Sequence, residues 1–233
     1  MGILGIITAL ILMLLISPFA FISSRGYVNT VAERRTKDAL NRAAKALMQY
    51  YLAPIPGDPY RTYNRFPNTL DELVTYGFLQ SRDLYDGWNR RLVYIVSGFN
   101  SSLTPGARPS GTSTQLPAAV VISVGRNGVL NTSINPSNLN AVTALSLMPQ
   151  GDDLAAFAIP LSTEIGRTKT TYKKMHRLAQ ASFNCYFTYG SYPTSISDIK
   201  TKHGLSEEAI RDAWGYTFRY TIQNNLPVIS LGP

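Results

Sequence analysis

Residues 1–24 contain no charged side chain, and 3–22 read ILGIITALILMLLISPFAFI. A run of this length matches the roughly 20 apolar residues needed to cross the hydrocarbon core of a bilayer. It predicts a transmembrane anchor helix over 1–24. A cleaved secretory signal would combine a basic start, a shorter apolar stretch and a small-residue cleavage site, and the segment has none of these. Pro18 removes one helical hydrogen bond and favours a kink, which a buried neighbouring helix tolerates better than lipid does. The pattern then changes. Over 31–52, Ala32, Ala39, Leu40, Ala43, Ala46, Leu47, Tyr50 and Tyr51 recur with a helical period opposite a charged face. No Gly or Pro interrupts this second stretch, so anchor and amphipathic helix read as one rod from about Gly2 to Leu52.

The remaining sequence repeats itself. The first copy runs from the amphipathic helix through Phe66-Pro67-Asn68-Thr69-Leu70-Asp71-Glu72-Leu73, Tyr76-Gly77-Phe78-Leu79 and Asp86-Gly87-Trp88-Asn89, then the apolar runs LVYIV (92–96) and VVISVG (120–125). The second runs from a helix over 168–186 through Tyr192-Pro193-Thr194-Ser195-Ile196-Ser197-Asp198-Ile199, His203-Gly204-Leu205 and Asp212-Ala213-Trp214-Gly215, then FRYTI (218–222) and VISLG (228–232). A fixed order of elements at two places in one chain marks a duplicated structural unit. The boundaries read as 1–24 for the anchor, 25–161 for the first unit and 162–233 for the second, with a shorter C-terminal end. Each unit reads as one helix packed on a small antiparallel sheet, an α+β arrangement.

The repeated elements have mechanical roles. Thr69 or Ser195 offers a hydroxyl to the orphan amides that open a short helix. Asp86 and Asp212 can bond backbone amides in a turn, while Trp88 and Trp214 supply large apolar blocks for the two cores. Residues 97–117 and 127–151 read as loops, and 152–160 read as a last strand returning to the first unit. Asn127, Asp152 and Asp153, beside Gly151, form a candidate Ca²⁺ set with backbone carbonyls. The competing reading is a plain Asp turn, favoured by the lack of EF-hand carboxylate spacing.

Charge changes the picture little. The formal charge of +8 is shared, with 13 basic against 9 acidic residues before Ser162 and 9 against 5 from there on, so no acidic partner is demanded. One concentration exists: Arg167, Lys169, Lys173, Lys174 and Arg177 lie close together with no acid among them. A solvated helix face is the favoured reading of such a run, and a nucleic-acid site the alternative. The 14 Tyr, 9 Phe and 2 Trp are better assigned to two cores, since stacking on nucleic acid needs exposed aromatics. A single cysteine, Cys185, excludes an internal disulfide and reads as a small core residue. His176 and His203 have no nucleophile or metal partners nearby in sequence, so no catalytic residue and no certain cofactor are expected.

The helix that passes from apolar to amphipathic, followed by [FY]-P-x-[ST]-[LI]-x-[DE]-[LI], D-x-W-x-x-x-[LF]-x-Y and [IV]-S-x-G, resembles type IV pilins and especially the major pseudopilin of type II secretion systems. The resemblance covers nearly the whole chain. It implies a pilin-like fold with Pro67, Asp86, Trp88 and Gly125 as motif positions, repeated at Pro193, Asp212, Trp214 and Gly215. It also implies a calcium loop near Ser123-Val124-Gly125-Arg126-Asn127-Gly128. By the same resemblance the chain is a structural subunit in a bacterial inner membrane, its globular part periplasmic or extracellular, with other pilin or pseudopilin subunits and membrane lipid as partners. Close helix packing there would use small residues such as Gly2, Gly5 and Ala9. Family members carry a basic leader cut by a prepilin peptidase and a Glu at the fifth mature position, and this sequence has neither. The expectation is that Met1 is an internal methionine; the missing leader would also supply cytoplasmic charge to balance Arg25, Arg34, Arg35 and Lys37. A complete sequence would instead resemble tip subunits lacking the Glu, and the tandem second unit points to a minor or tip role. The other reading is a membrane-tethered binding module, for example a DNA-capturing one.

Overall fold

A single helix, α1, runs unbroken over Ile3–Leu52, about 75 Å at 1.5 Å per residue. The structure, a computed structural model, describes the backbone of residues 3–109 and 116–232, and the side chains of 28–98, 100–109 and 116–232. Among the described residues no helix is long and apolar enough to cross a membrane; the expected anchor, with Gly2, Gly5, Ala9 and Pro18, falls outside the described side chains.

The second half of α1 buries the face its periodicity marks. Ala39, Leu40, Ala43, Ala46, Leu47, Tyr50 and Tyr51 form one cluster with Phe66, Leu73, Val121 and Ala158. The sheet beneath is antiparallel, with order β3 (Val93–Val96), β4 (Ala119–Ser123), β5 (Leu154–Ala158). All five β4 residues are buried, because this strand is central and covered on both faces. Ala119 and Val121 face the α1 cluster, while Ala118, Val120 and Ile122 meet Leu139 and Ala144. Two-sided burial explains the run AAVVIS, which does not alternate.

The second cover comes from a segment read as loop. Residues 127–151 contain α3 (Ala141–Ser146), opened by a capping box in which Asn140 accepts from Val142 and Thr143 amides. The sequence reading missed it for want of periodicity in so short a helix. It also missed the hairpin of β1 (Pro54–Ile55) and β2 (Asp58–Thr62). Between β2 and β3 lies α2 (Leu70–Thr75). Thr69 sits at its N-cap without a side-chain bond, contrary to the capping expected of its hydroxyl; Glu72 instead accepts from the Asn68 amide.

The second unit begins with α4 (Leu161–Tyr189), which starts ahead of the expected Thr168 and stops at left-handed Gly190. Ser195 does cap α5 (Ile196–His203) through the Asp198 amide. β6 (Arg219–Gln223) and β7 (Leu226–Ser230) form a hairpin closed by Asn224 and Asn225, both at positive φ, as a two-residue turn matching strand twist requires. Gln223 and Leu226 close that hairpin, so alternation puts the missing N–H of Pro227 on the outer edge of β7, where proline disfavours further pairing. The core here is small: Leu178, Ile199, Ile210 and Phe218. The protein is thus mixed α+β, a long helix on one small antiparallel sheet followed by a shorter helix on another.

Candidate functional site

Both repeats build the same turn around their aspartate. Asp86 Oδ1 accepts from the Trp88 and Arg90 amides at 2.9 and 2.8 Å, and Asp212 Oδ1 from the Trp214 and Tyr216 amides at 2.9 Å each. The backbone pairs of the turn also coincide, Asp86 N–H to Arg90 O and Asp212 N–H to Tyr216 O, both 2.8 Å. Each turn is pinned to its helix by a buried threonine. Thr36 Oγ1 accepts from Gly87 N–H (2.8 Å) and Thr171 Oγ1 from Ala213 N–H (3.0 Å). Sequence reading overlooked these threonines, although both repeats carry one on the helix ahead of the Asp. Pro67 and Pro193 are buried at equivalent places, and Pro67 O accepts from the Tyr94 hydroxyl.

The second aspartate oxygens separate the repeats. Asp86 Oδ2 accepts from Ser123 on β4, inside its own unit. Asp212 Oδ2 is held by Arg108 of the first unit, whose guanidinium also donates to Gly232 O and lies over the rings of Trp214 and Tyr216. This aspartate joins the units. The β1–β2 hairpin adds to the joint: Arg211 lies over the Tyr60 ring and Arg61 over the Tyr216 ring. Gly215, at φ +90°, permits that approach, since a Cβ there would meet Tyr60 O at 2.3 Å. Its counterpart Asn89 adopts the same left-handed conformation with a side chain.

Glu164 is the buried centre of the joint. It accepts from Tyr51 Oη (3.3 Å), Trp214 Nε1 (2.7 Å) and Arg167 Nη1 (3.0 Å). Arg167 reaches on to Asn64 and Thr62 of the first unit. Burial, and then the Glu164 charge, push the Tyr51 hydroxyl far above its ordinary value. The tryptophans therefore act differently from the expectation that both fill cores. Trp214 is buried at the joint, outside the apolar cluster of its unit. Trp88 is only half-buried, and its indole N–H is buried without an acceptor.

Asn127, Asp152 and Asp153 do meet, where the long connection that carries α3 leaves β4 and returns to β5. Asp152 Oδ2 accepts from Asn127 N–H, and Asp153 Oδ2 from the Asn131 and Thr132 amides. Gly125, at φ +61°, is required there because a Cβ would meet Asp152 O at 2.1 Å. Asn127 spends its side chain on Val129 N–H and Asn131 Oδ1. What remains is the exposed Asp152 Oδ1, outside these bonds, and Asp153 Oδ1, buried and without a partner, both residues lining a cavity of about 490 Å³ with Glu33, Trp88 and Arg126. Ca²⁺ takes six to eight oxygens, water among them; here the neighbouring Gly125 carbonyl is engaged by the Arg90 guanidinium. The arrangement is that of a hydrogen-bonded Asp turn.

Folding also brings together two residues the sequence kept apart: Cys185 Sγ and His203 Nε2 are 3.1 Å apart. The thiol is fully buried and the imidazole exposed. His176 is exposed and contacts Gln180. Of the five clustered basic residues, Arg167 is absorbed by the joint and Lys174 pairs with Glu208; Lys169, Lys173 and Arg177 remain exposed. Comparison of the chain with protein-family models, with curated proteins and with solved structures finds no match.

Proposed function

We propose that the chain is a membrane-anchored, non-catalytic structural subunit of pilin or pseudopilin type, working by assembly through its N-terminal helix. The observation that carries this reading is the continuity of α1: one helix extends from the apolar segment into the core of the first unit, with Leu47 and Tyr51 fully buried there. A rigid helix of this kind transmits lateral packing of the apolar segments directly to the globular units. The Asp212–Arg108 and Glu164–Tyr51 contacts make the two units travel together. In this role the segment sits in the inner membrane of a bacterium and the two units lie outside the cytoplasm, with further pilin-type subunits as partners.

Cysteine placed at Gly5 or Ala9 in a Cys185→Ala background tests the proposal. Mild oxidation of membranes should yield disulfide-linked dimers, the most that one thiol per chain can form, whereas a cysteine on exposed Lys45 should not. Monomer alone at both apolar positions would reduce the chain to a tethered domain.

A further inference from the structure

The outward face of α4 is used by neither the core nor the joint. Lys169, Lys173 and Arg177 stand on it at four-residue intervals, about 6 Å apart along the axis. No ion pair engages them among the described residues, and the acidic groups on or against α4 are committed elsewhere: Glu164 to Arg167, Glu208 to Lys174, and Glu207 to Lys200 and Arg211. Beside this basic row runs an aromatic one. Tyr172 is 67% exposed, Phe183 40% and Phe187 81%. These exposed rings are the stacking faces that a nucleic-acid partner of the basic row requires. Lys169, Lys173 and Tyr172 also border an apolar groove of about 990 Å³ lined by Leu116, Ile165 and Trp214.

We infer that this face binds a single-stranded nucleic acid, its phosphates on Lys169, Lys173 and Arg177 and its bases against Tyr172, the groove and Phe187. Regularly spaced cations that track a backbone, beside planar side chains that accept the face of any base, are the combination single strands require. A duplex hides its base faces.

The test uses the full chain in detergent and a labelled oligothymidylate, followed by anisotropy across salt. Three phosphate contacts on a single strand predict a log–log salt slope of about −2, or roughly a twentyfold loss of affinity for a fourfold rise in salt. Replacing Lys169, Lys173 and Arg177 together by Ala should flatten that slope, with each single replacement lowering it by about 0.7. Tyr172→Ala should weaken binding about tenfold with the slope unchanged. Arg219→Ala, on β6, is the control and should change nothing. Absence of binding at low salt overturns the inference. So does binding that responds to the basic substitutions but not to Tyr172→Ala or Phe187→Ala, the behaviour of a generic polyanion surface. A face that serves anionic lipid would instead be protected from hydrogen exchange over 165–187 in phosphatidylglycerol nanodiscs and not by the oligonucleotide, and that result also overturns it.

Discussion

Asp86→Asn and Asp212→Asn are the same substitution in the same turn, and their unequal cost tests the joint between the units. In both, the retained oxygen still accepts from two backbone amides. At Asp86 the new amide group faces the Ser123 hydroxyl, which can turn and accept, so the loss is near that of one neutral hydrogen bond, about 1 kcal/mol. At Asp212 the new amide group faces the donors of Arg108 across a contact in which the Asp side chain is 1% exposed. Breaking a buried ion pair from one side costs about 3–5 kcal/mol. Arg108 keeps Gly232 O and two ring faces, which places the cost near the lower end, about 3 kcal/mol. For a chain of this size about 1 kcal/mol corresponds to 2–4 °C in Tm, so Asp212→Asn should lower Tm by roughly 6–12 °C and Asp86→Asn by roughly 2–4 °C. Thermal melts of the full chain in detergent, followed by far-ultraviolet circular dichroism, provide the comparison. A cycle with Arg108→Met should recover a coupling of about 1–3 kcal/mol with Asp212 and none with Asp86. Equal shifts for the two variants, or no coupling to Arg108, would refute the reasoning.

Other perturbations have equally definite outcomes. Trp214→Phe leaves a buried Glu164 oxygen without its donor and should cost about 1.5–3 kcal/mol more in urea unfolding than Trp88→Phe, whose indole N–H has no acceptor to lose. Gly87→Ala drives a Cβ to 1.9 Å from Ala32 O and should destabilise by about 1–3 kcal/mol, whereas Ala213→Gly at the equivalent turn should cost less than that. Burial pushes the Tyr50 hydroxyl up to about 12; because the folded value lies above the unfolded one, stability is undiminished below about pH 10 and falls between pH 10 and 12. Phenolate absorbance should therefore show Tyr50 ionising above the exposed tyrosines, and titration of every tyrosine together near pH 10 in the folded chain would contradict this. Added Ca²⁺ should leave Tm unchanged, since one oxygen of each of Asp152 and Asp153 already serves backbone amides; saturable stabilisation would show a metal site there.

By itself the sequence determined the features that nearest neighbours decide. Helical period over 31–52 marked the residues buried on α1, and repeated Asp-x-Trp and Pro-x-[ST] signals marked equivalent turns, because each Asp bonds amides only two and four residues away. Strands β3 to β7 were legible for the same reason. Tertiary structure decided everything that depends on distant partners. That β4 is covered on both faces depends on α3, a helix too short for a period. The Asp86 and Asp212 turns are alike in sequence, yet one is completed by Ser123 and the other by Arg108 across the joint, a choice made by which chain segment packs there. The Cys185–His203 contact and the sorting of five basic residues into two structural and three free ones have the same origin. Exposure of Tyr172 and Phe187 is likewise a property of the packed molecule, since an aromatic side chain shows in sequence its area and not what covers it.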